Sequence, residues 1–224
     1  MRMSTVTSAS IIYFDAARRF SERAVVLDDP VIFDALDRNG QEARAGELVD
    51  STLAAVLTAN SAIEAVINEL FVERALFPAS SPWFKGLPDD VGKAFADAWE
   101  NGVERYEVVT KCQIAAAIAG KKRIDFGAGA PQRMTLLINL RNALVHHKPI
   151  SLEGGKEPHE SDDAIERKLN GQFVLSRICP THTFRWRGCL GAGCANWAYE
   201  TATAFQRDFF AHLGTDYLFG PLLN

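Results

Sequence analysis

The chain has 224 residues, of which 47% are hydrophobic and 23% charged, enough to bury a substantial core at the upper end of one domain or the lower end of two. A formal charge of -4 excludes a protein that coats nucleic acid nonspecifically, because such binding needs a dominant basic surface; a local basic pocket is still allowed. Four cysteines, Cys112, Cys179, Cys189 and Cys194, are too few for a disulfide framework in a chain of this length, and the expected setting is reduced and cytoplasmic.

The amino end, "MRMSTVTSASIIYFDAARRF", is interrupted by Asp15, Arg18 and Arg19, so it reads as neither signal peptide nor anchor. No later stretch reads as long and apolar enough to span a bilayer. Residues 8 to 26 are expected to form a first helix with Ile11, Ile12, Phe14, Phe20, Ala24 and Val25 on its apolar side, closed by "LDDP". A shorter helix over 30 to 38 precedes "RNGQ", which reads as a turn. From Ala45 to Phe77 good helix formers run on without proline, which predicts one long helix. Its wheel puts Leu53, Val56, Leu57, Ile63, Val66, Ile67, Leu70 and Phe71 on the buried face, with Asn60 and Glu64 inside that face.

"PASSPWFKGLP" breaks the chain, Asp89 and Asp90 suit an amino-terminal cap, and 90 to 100 reads as a short helix. Residues 103 to 119 read as another, with Gly120 as its terminator. The connector "KKRIDFGAGAP" is basic and glycine-rich, and its Lys121, Lys122 and Arg123 are either an exposed turn or, beside a cleft, cations that steer RNA; Lys148 is a further candidate for substrate binding. Pro131 suits the first turn of the next helix. After Pro149 a polar loop, a short helix at 161 to 169 and a stretch with weak strand character lead to a final helix from Cys194 to Leu213. The expected architecture is all-α, a helical bundle in a single domain, with a core over 45 to 150, an extension over 151 to 224 and an irregular segment before the last helix.

The helix over 131 to 147 carries the chemistry. On its wheel Met134, Leu136, Leu137, Ile138, Leu140, Leu144 and Val145 form an apolar arc, and Gln132, Thr135, Asn139, Asn142 and His146 form the opposite strip. Arg141 falls inside the apolar arc. A guanidinium keeps its charge, so it needs a carboxylate or a pocket where its donors are used. Glu64 or Asn60 is the expected partner of Arg141 or Asn142. Arg141 and His146 are separated by roughly 140° on an ideal helix. They converge only if the helix unwinds before Pro149 or if two chains share a cleft. The plainer reading has Asn142 bonding backbone groups and His146 capping the helix carboxyl end.

"RNALVH", residues 141 to 146, resembles the signature of the HEPN domains, an arginine and a polar residue followed after a short gap by histidine on a late helix of an all-α chain. The long helix with "SAIEAVINEL" is similar to one those domains use. The resemblance implies a HEPN-type bundle that acts as a metal-independent endoribonuclease, a toxin or phage-defence effector. It implies a homodimer whose arginines and histidines line one composite cleft, with Arg141, His146 and Asn142 catalytic and no cofactor. His146 would take the proton of a ribose 2′-hydroxyl or donate one to the leaving 5′-oxygen, and Arg141 would hold the phosphate, leaving a 2′,3′-cyclic phosphate. An antitoxin or regulatory protein is a further expected partner. In the family branch whose antitoxin modifies a tyrosine two residues after the histidine, this chain has Lys148 instead. The alternative function is a non-catalytic helical dimer binding RNA, a nucleotide or a protein through the same cleft.

A second constellation is "CPTHTFRWRGCLGAGC". Cys179, His182, Cys189 and Cys194 are zinc-ligand types, but their spacing matches no standard finger. Buried free cysteines beside Trp186 and Trp197 are expected instead.

Overall fold

The computed structural model describes residues 8–76, 84–146, 165, 167–178 and 189–217. The chain is all-α: α1 (Ala9–Leu27), α2 (Pro30–Asp34), α3 (Arg38–Leu76), α4 (Asp89–Glu100), α5 (Val108–Ile118), α6 (Gly129–Val145) and α7 (Ala192–Leu213). A 3-10 turn covers Val103–Arg105, and Phe84–Lys85 pairs antiparallel with Asp216–Tyr217. Two compact units emerge. One is built from residues 1–15, 61–132 and 202–224, the other from 16–60 and 133–201.

In the second unit, Ala24 and Leu27 of α1, Leu48 and Ala55 of α3, Ile178 of the chain before α7 and Ala195 of α7 form one core, with Phe33, Ala45, Val49 and Ala192 packed against it. The stripe on α1 runs Ala17, Ser21, Ala24 and Leu27, all buried. The larger side chains expected to face inward do not all do so, since Ile12 is 55% and Val25 56% exposed. Spacing of three and four explains the choice: 17, 21, 24 and 27 share a side, whereas 25 sits roughly 100° from 24. Small residues on the buried side let neighbouring backbones come close.

Two adjacent carboxylates serve helix starts, one locally and one at a distance. Asp29 caps α2 by accepting from the Val31 and Ile32 N–H groups at 2.9 and 3.3 Å, with Pro30 at the first helical position. Its neighbour Asp28 accepts from the Ala192 N–H that opens α7 at 2.9 Å and from the Ser176 hydroxyl at 2.5 Å. The chain at 174–176 lies so close to this helix start that a Cβ on Gly191 would come within 2.3 Å of the Ser176 Cβ. One on Gly193 would come within 2.2 Å of the Val174 carbonyl oxygen.

Three other sequence expectations change here. "RNGQ" is the first turn of α3, because Asp37 accepts from the Gly40 N–H at 2.8 Å and caps the helix seven residues earlier than Ala45. Asp89 and Asp90 lie inside the first turn of α4, after Pro88, so they act on the helix dipole and not as a side-chain cap. The helix expected over 103 to 119 is divided, with Tyr106 and Glu107 extended between the 3-10 turn and α5.

In the first unit the buried side of α3 runs Ala62, Ile63, Val66, Ile67, Leu70 and Phe71, and Phe71 meets Phe95 of α4 edge to face at 5.1 Å. Phe126 packs on Phe205, which stacks on Phe209. At the start of α1, Glu69 accepts from the Ser10 N–H at 2.9 Å and from the Ser10 and Ser8 hydroxyls, a carboxylate placed where the helix dipole is positive. Gly120 (φ +66) ends α5 as the sequence predicts, with Lys121 N–H bonded to the Ala116 carbonyl.

Contrary to the sequence reading, Arg38–Glu73 of α3 is long and apolar enough to cross a membrane by length and composition. Of its most apolar window, 56% is buried inside the protein, as in the core helix of a helical fold.

Candidate catalytic site

α6 places the RNALVH residues in the second unit. Met134, Leu137 and Leu140 are buried, and Arg141, one turn past Leu137 on the same stripe, is half-buried. Its guanidinium Nη1 donates to the Asn142 Oδ1 at 2.8 Å. An arginine carries five N–H donors in a planar fork, so most of this fork remains open after the one bond. No other interaction engages it among the described residues.

The helix closes at Val145, and His146 is the first residue past it. Its backbone N–H still reaches the Asn142 carbonyl at 2.9 Å, while its side chain is exposed. Asn142 therefore serves both catalytic candidates. Its side chain holds the arginine and its carbonyl holds the backbone of the histidine. His147 and Lys148 lie outside the described residues, as does Pro149.

Of the two partners proposed from the α3 wheel, one departs from expectation. Glu64 does not lie in the buried face; its side chain is 47% exposed, and its ion pair at 3.8 Å is with Lys111. Leu57, seven residues earlier on the same side, is also 37% exposed. Both stand at the edge of an arc centred on Ala59, Ala62, Ile63 and Val66. Asn60 is buried as expected, at 8% exposure, and its side chain makes no hydrogen bond among the described residues.

Lys111 was invisible to the sequence reading as a site residue. It lies on α5 at 1% exposure and donates from Nζ to the Asn68 Oδ1 at 2.8 Å, with Glu64 as its carboxylate neighbour. The signal available was a lone lysine in the apolar run "VVTKCQIAAAI". Beside it, burial pushes the Cys112 thiol well above its ordinary range, against the opposing pull of a backbone hydrogen bond and of the Lys111 charge.

Lys121, Lys122 and Arg123 are exposed in the first unit, on the connector that follows α5. Of the possible zinc ligands, Cys179 and His182 lie outside the described residues; Cys189 and Cys194 are buried. No group of three or more His, Cys, Asp or Glu among the described residues is arranged to hold a metal.

The open guanidinium and the exposed imidazole supply what phosphodiester cleavage asks of side chains: a fixed multidentate cation and a proton carrier. Comparison of the chain with protein-family models, with curated proteins and with solved structures gives no match.

Proposed function

We propose that the chain is a metal-independent endoribonuclease of the HEPN kind, acting as a homodimer with a composite cleft, in a toxin or phage-defence setting. The observation that carries the reading is the Arg141–Asn142 hydrogen bond, which fixes one edge of the guanidinium and leaves the remaining donors open, five residues from an exposed histidine at a helix end. An arginine meant only to hold the fold would spend its donors on carboxylates or carbonyls, as Arg44 does on the Leu27 and Val26 carbonyls.

In this mechanism His146 takes the 2′-hydroxyl proton as the 2′-oxygen attacks the adjacent phosphorus. The P–O5′ bond breaks, a protonated imidazole donates to the departing 5′-oxygen, and a 2′,3′-cyclic phosphate and a 5′-hydroxyl remain. Arg141 stabilises the charge that builds on the non-bridging oxygens. Asn142 aligns the guanidinium. A second histidine from the other chain supplies the separate acid and base, which one imidazole serves only by turns.

The test is incubation of the purified protein with total RNA in EDTA, beside His146→Ala. Cleavage lost on substitution, with cyclic phosphate ends on the products, supports the reading. Intact RNA with both proteins removes it.

A further inference from the structure

Lys111 of α5 is the most deeply buried cation among the described residues. Its Nζ makes one hydrogen bond there, to the Asn68 Oδ1 at 2.8 Å, so two of the three donors of an ammonium go unused. The Glu64 carboxylate, one turn before Asn68 on the same side of α3, stands 3.8 Å from this Nζ. That is too long for a hydrogen bond and short enough for a small side-chain shift to make one. All three residues belong to the first unit.

An amine, a primary amide and a carboxylate therefore meet at one point. Nζ already touches the amide oxygen, and the electrophilic carbon lies one C=O bond beyond it, about 1.2 Å further along. The amide nitrogen of Asn68 makes no hydrogen bond among the described residues, so nothing there holds it against leaving. At 1% exposure the amine is shut off from any electrophile brought by solvent, and the amide beside it is the one within reach. The adjoining Cys112 thiol, pushed up by burial, keeps its proton and is no rival nucleophile.

We propose that Lys111 and Asn68 join in an intramolecular isopeptide bond, with Glu64 as the proton carrier. Glu64 takes one proton from Nζ, and the freed amine attacks the Asn68 Cγ to form the Nζ–Cγ bond. Glu64 then gives its proton to Nδ2 and takes a second from Nζ. The Cγ–Nδ2 bond breaks, and the departing ammonia carries the second proton away as ammonium. No oxidant, metal or cofactor is consumed. The product is a covalent strut between α3 and α5 that joins positions 43 residues apart in the chain. The hydrogen-bonded pair is the reactant state, and the carboxylate, half-exposed and one shift away, makes conversion slow, so that freshly folded chain holds the pair and aged chain the cross-link. The proposal does not rest on the ribonuclease reading.

The test is intact mass spectrometry of the full chain, fresh and after prolonged incubation near neutral pH, with tryptic mapping of the products. The expected species is lighter than the sequence mass by one ammonia and yields a branched peptide joining the segment that holds Asn68 to the segment that holds Lys111. Glu64→Gln, at an exposed position, should slow its formation about a hundredfold. Lys111→Met and incubation of the parent chain in urea should both abolish it. An unchanged mass after incubation overturns the proposal, as does the gain in mass that marks hydrolysis of Asn68 to aspartate. Loss of ammonia without a branched peptide, the mark of a succinimide, overturns it too. Formation at the parent rate in Glu64→Gln removes the carboxylate from the mechanism.

Discussion

Lys111 and Arg141 are both cations set into the apolar side of a helix, and the fold treats them oppositely. Lys111 is almost wholly buried, its ammonium donating to Asn68 with the Glu64 carboxylate 3.8 Å away. Arg141 is half-buried and, among the described residues, held only by its own neighbour, Asn142. Burial alone would rank the lysine as the more unusual residue. Access ranks the arginine as the better candidate for a ligand, because the ammonium of Lys111 is sealed at 1% exposure beside a carboxylate, whereas the half-buried guanidinium of Arg141 has open donors that a ligand can reach.

The largest expected effects test the arginine side of this contrast. His146→Ala is expected to lower RNA cleavage by about a thousandfold and Arg141→Ala by at least about a hundredfold, the ranges for losing a proton carrier and a charge stabiliser. Neither should change the free energy of unfolding in urea by more than about 0.5 kcal/mol, since His146 is exposed and Arg141 gives up one bond to its neighbour Asn142. Arg141→Lys keeps the charge but loses the planar fork, and activity should stay low. If Arg141→Ala instead unfolds the chain, the guanidinium belongs to the fold and the contrast collapses.

Lys111→Ala is expected to cost about 3 kcal/mol, from a cavity and an Asn68 carbonyl stripped of its donor. Lys111→Met refills the volume and should recover at least half of that. Chemical denaturation of the two variants gives the comparison directly; equal losses would show that charge, and not volume, is what the site requires. Neither change alters the RNALVH residues, so cleavage by the folded fraction should match the parent protein.

How far these roles were legible in the sequence follows from the same physics. The all-α architecture, the long central helix and the glycine stop at 120 came from periodicity and local backbone chemistry, which act over a few residues. The start of α3 was missed because Asp37 overrides the turn signal of Asn39 and Gly40, a cap visible only once the helix is in place. Glu64 was misplaced because a wheel gives the relative angles of side chains and not the centre of the buried arc. That centre is chosen by Ala59 and Ala62, small residues that no hydrophobicity ranking favours. The RNALVH residues were legible as a pattern, whereas the use of Asn142 as a clamp on Arg141 needed side-chain geometry.

Asp28 extends the contrast to anions. Its carboxylate is spent on the Ser176 hydroxyl and on the first N–H of α7, so it is expected to matter for stability and not for chemistry. Asp28→Ala should cost about 2 kcal/mol, the weight of a charged helix cap together with a second hydrogen bond. Asp28→Asn should cost less, since an amide oxygen still accepts. A cleavage defect in Asp28→Asn protein of unchanged stability would give this residue a functional role that its contacts do not suggest.

The smallest effect concerns Cys112, where two influences of the Lys111 region compete. A lysine beside a thiol favours the thiolate and reactivity, but burial outweighs it and raises the thiol above its ordinary 9.0. The folded state therefore keeps a proton that the unfolded chain releases, so this contribution to stability is complete below about pH 9 and declines as pH rises beyond it. The decline is at most about 1.4 kcal/mol per pH unit. Urea midpoints followed from neutral to alkaline pH should fall less steeply for Cys112→Ala than for the parent protein, and iodoacetamide should leave Cys112 unmodified in the native chain while labelling it in urea. Rapid native labelling at mildly alkaline pH would mean that the Lys111 charge prevails over burial, and that the buried lysine is less fully engaged than its contact with Asn68 implies.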